Sequence, residues 1–89
     1  MPINKMQQLM AITAEESGEL TQACMKVMRK YENIDDIEDK WHEQLVEELG
    51  DVYCMMELMI EHGVVGAEEI YDRASIKREK LREWSDLVD

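Results

Sequence analysis

The stretch EQLVEELGDVYCMMELMI, residues 43–60, decides the fold class. Leu45, Leu49, Val52, Met55 and Met59 recur there at spacings of three and four, the period of one helix face. Glu48 falls inside that same apolar stripe, Asp51 comes three residues later, and Gly50 lies between them. A helix that places carboxylates and a glycine beside its own core stripe calls for a chemical reason.

Outward from this segment the chain keeps the same character. Its only proline is Pro2, its glycines are Gly18, Gly50, Gly63 and Gly66, phenylalanine is absent and methionine is frequent. No β-branched run alternates with polar residues, so the pattern predicts an all-α protein. A first helix is expected from Asn4, with Gln7 completing a capping box, to about Arg29 or Lys30. Its apolar stripe reads Leu9, Ile12, Leu20, Ala23 and Val27. The segment KYENIDD, residues 30–36, interrupts the pattern, and Asp35 or Asp36 is the expected cap of the second helix. That helix opens with an irregular piece through Trp41 and continues to about His62. Gly63 is placed to take the left-handed position that ends it. A third helix covers roughly Ala67 to Trp84. Residues 1–89 read as a single domain, a three-to-four-helix bundle that a homodimer would complete.

The formal charge of −11, from 21 acids and 10 bases, argues against a partner recognised through its phosphate backbone, such as nucleic acid. Half the bases, Arg73, Lys77, Arg78, Lys80 and Arg82, fall in one segment near the C-terminus. Cys24 and Cys54 show no metal or redox spacing and read as small core residues of a reduced compartment. No signal peptide is visible, and no apolar run reaches the ~18 residues of a membrane span. The expectation is a soluble cytoplasmic protein without a membrane partner.

EESGEL, residues 15–20, repeats the frame of EELGDV, residues 47–52: two acids, a variable residue, glycine, an acid and an aliphatic residue. Residues three apart on a helix point the same way, so Glu16 pairs with Glu19 and Glu48 with Asp51. Glu16 and Glu48 each fall inside an apolar stripe, which turns both pairs towards an interhelical seam. Burying ionised carboxylates without partners is costly, and bases near these segments are few, with Lys26 and Lys40 the nearest in sequence. A divalent cation resolves the conflict. Mg²⁺, or alternatively Mn²⁺, takes hard oxygen ligands and leaves positions open for phosphate oxygens. Gly18 and Gly50 would then permit close helix approach. Asp36 and Asp39, also three apart, read as a solvated face.

The pair EESGEL and EELGDV resembles the EExxE…ExxD signature of the MazG-like all-α nucleoside triphosphate pyrophosphohydrolases, over about residues 5–82. The 28 residues between Glu19 and Glu48 lie within the usual range of that signature. The resemblance implies a Mg²⁺-dependent enzyme that cleaves a (d)NTP to the monophosphate and pyrophosphate. It implies Glu16, Glu19, Glu48 and Asp51 as metal-binding catalytic residues, with Glu15 matching the leading acid. It further implies a dimer or a dimer-of-dimers tetramer. Family members carry a basic stretch after the second motif, frequently with an Asn-x-Lys element. Here SIKREKLREW has Ser75 in place of the Asn, and Lys77 and Lys80 are the candidates for phosphate binding. Trp41, between the motifs, is the candidate for the base. Tyr53, two residues past Asp51, points away from the acids; His42 and His62 read as surface residues and the methionines as core filler. Two alternatives stand beside this reading. One is phosphoribosyl-ATP pyrophosphohydrolase, of the same fold and acid pattern. The other is a non-catalytic acidic helical module that binds cations or a basic partner.

Overall fold

The computed structural model describes residues 3–89 and is all-helical among them. Its elements are α1 (Lys5–Lys30), a 3-10 turn (Ile34–Asp36), α2 (Asp39–Glu61) and α3 (Ala67–Trp84). No helix among the described residues is long and apolar enough to cross a membrane. The chain groups into two compact units, Met1–Leu58 and Met59–Asp89.

In the first unit α1 starts as its sequence dictates. The Asn4 side chain accepts the Gln7 N–H at 2.8 Å, and the Gln7 side chain accepts the Asn4 N–H at 3.0 Å. Two of the helix's otherwise unpaired donors are thereby satisfied. Arg29 and Lys30 occupy the last turn, where positive charge complements the helix dipole. Tyr31 turns to extended backbone while its N–H still reaches the Val27 carbonyl, and the helix stops.

Leu9 and Ala23 are buried, and Thr13, Glu16, Leu20 and Val27 are half-buried, which defines the inward stripe of α1. Ile12, expected in that stripe, is 42% exposed; Thr13 takes the inward position and folds its hydroxyl back onto the Leu9 carbonyl. On α2, Met55 and Glu48 are buried, with Leu45 and Val52 half-buried. Leu49, also expected inside, is 54% exposed, because one residue past Glu48 lies about 100° round the helix. α2 runs antiparallel to α1. Trp41 of α2 lies beneath Lys30 at the end of α1, and Glu48 and Asp51 lie opposite Glu16 and Glu19.

Four local expectations are corrected. Asp35 and Asp36 belong to the 3-10 turn and do not cap α2, and Trp41 is already helical, held by its N–H to the Glu38 carbonyl at 3.0 Å. Cys24 and Cys54 are both exposed thiols. Of the methionines, Met55 is buried, but Met6, Met10, Met25 and Met28 are exposed.

In the second unit Gly63 has φ +74°, the left-handed conformation that costs glycine least, and the Val64 N–H returns to the Met59 carbonyl. α3 opens on Gly66, whose N–H is accepted by the Glu69 carboxylate at 3.0 Å. It ends at Ser85, whose N–H and hydroxyl both donate to the Leu81 carbonyl. α3 buries no residue; Ile70 and Leu81 are half-buried, while Tyr71 and Trp84 are exposed.

A four-carboxylate candidate metal centre

Glu16 and Glu19 on α1 meet Glu48 and Asp51 on α2 across the seam of the first unit. One carboxylate oxygen from each lies within 4.8 Å of the others. A cluster this tight is able to hold a metal ion, and its donors are all hard oxygens, the set suited to Mg²⁺, Ca²⁺ or Mn²⁺. Glu15, one residue round the helix, is exposed and stands outside the group.

Clustered acids on a surface mean little by themselves, since solvent and counterions screen them. Two observations separate these from that case. Glu48 is only 8% exposed, and its Oε2 is buried without a hydrogen-bond partner. Glu16 Oε2 is buried and unpartnered in the same way. Nor does a base neutralise the cluster: the one ion pair among the described residues joins Arg82 to Glu79 on α3. Two acceptor oxygens turned into a seam with no protein donor add to the cluster's capacity to hold a cation.

The electrostatics carry the same message. Burial is the main cause that pushes the Glu16 carboxyl above its ordinary value; repulsion from Glu19, Asp51 and Glu48 and a hydrogen bond with Asp51 add to it. Glu48 is raised in the same way, first by burial, then by Glu19 and Asp51, by a hydrogen bond with Glu19, and by Glu47. Both shifts favour the protonated forms of Glu16 and Glu48 where no cation is bound.

Gly18 and Gly50 do not bring the helices together, contrary to the expectation from sequence. A β-carbon at either position would meet nothing within 4 Å. Both glycines point away from the seam, two residues from Glu16 and Glu48 and so about 200° round their helices. Each is an exposed helical glycine whose excess chain entropy opposes folding. Gly50→Ala should accordingly stabilise the protein by about 1 kcal/mol, raising Tm by about 4–8 °C. Its affinity for divalent cations should be unchanged; thermal melts with and without Mg²⁺ check both statements.

The other candidate residues fall in different surroundings. Lys77 and Lys80 are exposed on α3 in the second unit. No ion pair joins either to an acid among the described residues, and Glu79 pairs with Arg82. Trp41 is half-buried on α2, with the Lys30 and Lys40 ammonium groups 5.1 and 5.4 Å from its ring centre. Its indole N–H is buried without an acceptor. His42 and His62 are exposed, as expected, and so is Tyr53. The two lysines over Trp41 are a feature that sequence reading missed. Lys40 is the sequence neighbour of Trp41, whereas Lys30 reaches the ring only through the antiparallel register of α1 and α2. Comparison with protein-family models, with curated proteins and with solved structures finds no match to this chain.

Proposed function

We propose that the protein is a Mg²⁺-dependent nucleoside triphosphate pyrophosphohydrolase, converting a (d)NTP to the (d)NMP and pyrophosphate. The observation that carries this reading is the cross-helix group Glu16, Glu19, Glu48 and Asp51, with two inward oxygens left without donors. Its agreement with the EExxE…ExxD pattern of the MazG-like enzymes supports the choice of reaction over other cation-dependent chemistry.

The residues divide the work by depth. Glu16 and Glu48, half-buried and buried on the inward faces that also carry Leu9, Ala23 and Met55, supply the inner oxygens of the cluster. Glu19 and Asp51 are exposed and present the solvent side of the cluster to an incoming phosphate chain. Bound there, Mg²⁺ supplies the positive charge through which an acidic protein can hold a polyanionic substrate and ease phosphoanhydride cleavage. Lys77 and Lys80, exposed on α3 of the second unit, stay the phosphate-binding candidates that the family resemblance implies. Trp41 offers the half-buried aromatic surface for the base.

A panel of ribo- and deoxyribonucleoside triphosphates, assayed with Mg²⁺ for both products, tests the reading. Pyrophosphate and monophosphate in equal amounts are expected, with no turnover in chelator. Release of orthophosphate, or saturable cation binding without turnover of any nucleotide, would overturn the proposed reaction.

A further inference from the structure

Trp41 precedes Glu48 on α2 by two helical turns, about 10 Å along the same inward face. Lys30 lies three turns after Glu19 on α1, and Lys40 lies three turns before Asp51 on α2. Three turns return to within about 20° of the starting direction. Each lysine therefore shares its side of the helix with an exposed acid of the cluster, and the ring lies in line with the buried one.

This end of the first unit differs from the rest of an acidic chain. Of the unit's bases, only Lys5 lies outside residues 26–40, where Lys26, Arg29, Lys30 and Lys40 gather. None of the four is ion-paired among the described residues. The Lys30 and Lys40 ammonium groups stand 5.1 and 5.4 Å from the Trp41 ring centre, and the indole N–H is buried without an acceptor. All three polar groups at the ring are donors that accept nothing. Of the acids at this end, Glu38 acts on the Tyr31 hydroxyl, which burial first and then the Glu38 charge push up.

We infer that this end reads the base of the proposed substrate and selects an oxygen over an amino group at pyrimidine C4 or purine C6. Uracil, thymine, guanine and hypoxanthine are then preferred to cytosine and adenine. The inference rests on the reading of the acidic cluster as the seat of the nucleotide's phosphates. The two turns of α2 between Glu48 and Trp41 are comparable with the reach of a nucleotide from phosphate to base. A base laid against the ring brings its edge to ammonium groups that only a weak cation–π attraction holds there. A carbonyl oxygen at that edge accepts an N–H from Lys30 or Lys40 in a charge-assisted bond. An amino group in its place turns further donors towards the same cations, and none of the three groups can accept from it.

The closest isosteres supply the test: dUTP against dCTP, and ITP against ATP, differing in that group and the ring proton beside it. With Mg²⁺, kcat/KM for pyrophosphate release should be at least about ten-fold higher for the oxo member of each pair. Equilibrium dialysis with dUMP, dCMP, IMP and AMP, which hold no pyrophosphate to release, should give the same order in Kd. Lys30→Met with Lys40→Met keeps the apolar stems of two exposed side chains and removes their charges. The pair should bring each ratio near one by lowering the value for the oxo member. Lys5→Met, the same loss of charge at the start of α1, should leave the ratios as they are. If the double variant fails to fold, the ratios in the natural protein decide. Equal kcat/KM within each pair, or ratios unchanged by the double variant, would overturn the inference while leaving the proposed reaction standing. Selective binding of dUMP and IMP without pyrophosphate release from any nucleotide would overturn the reaction and leave the base assignment standing. Binding of none of the nucleotides would overturn both.

Discussion

Glu48→Gln should abolish divalent-cation binding and, with it, the proposed nucleotide turnover, while leaving the metal-free protein at least as stable as before. The two halves of this result have one cause. Glu48 is the deepest of the four acids and its Oε2 has no donor, so its charge is opposed by the fold and held only by what binds to it. Glutamine keeps the volume and removes the charge, relieving the repulsion from Glu19, Asp51 and Glu47. The same change deletes a ligand oxygen from a cluster that spans no more than 4.8 Å. At a Mg²⁺ concentration about 100 times its Kd, the natural protein should gain about 2.7 kcal/mol, or about 10–20 °C in Tm. The variant should gain none. Turnover should fall by more than about 100-fold, since loss even of groups behind metal ligands costs 10- to 100-fold. Melting curves with and without Mg²⁺, beside a pyrophosphate assay, read both halves. A variant that melts lower without metal and keeps its metal-dependent gain would show Glu48 to be an ordinary packed side chain.

The second large effect is on pH. Glu16 and Glu48 are both raised above the ordinary carboxylate value, by burial first and then by the neighbouring acids. Between the ordinary value and the raised one, the folded protein holds more protons than the unfolded chain. Stability of the metal-free protein therefore falls as pH climbs through that window, and the loss is complete above the raised values. A cation replaces the protons, so the increment in Tm from Mg²⁺ should be small near the ordinary carboxylate value and grow as pH climbs through the raised ones. General repulsion in an acidic chain also acts in this direction. Glu57→Gln, an exposed acid of α2 outside the cluster, controls for it: that variant should keep the pH-dependent increment, and Glu48→Gln should lose it. An increment independent of pH would mean that the cation binds elsewhere.

Much of this was legible in the sequence, for reasons that differ between residues. The bounds of α1 and α3 come from local chemistry: Asn4 and Gln7 at one start, Gly66 and Glu69 at the other, and Gly63 at the end of α2. The four acids come from spacing alone, because residues three apart share a face. What spacing could not give is which way a residue at the edge of a stripe turns. Ile12 and Leu49 each lie one position off the inward line, and both are exposed. Gly18 and Gly50 mislead for the same reason. They sit between acids in sequence, but their α-carbons lie on the far side of the helix, where a side chain would meet open space. The approach of Lys30 to Trp41 depends on tertiary register and leaves no local mark, whereas Lys40 is the neighbour of that ring in the chain.

The most direct test of the central claim is titration of Mn²⁺ into the metal-free protein, monitored by the loss of the free-ion electron paramagnetic resonance signal. Saturable uptake that Mg²⁺ displaces, present in the natural protein and in Gly50→Ala but absent from Glu48→Gln, is the result expected of a cation site built from Glu16, Glu19, Glu48 and Asp51. Uptake that is non-saturable, or equal in Glu48→Gln, would contradict it.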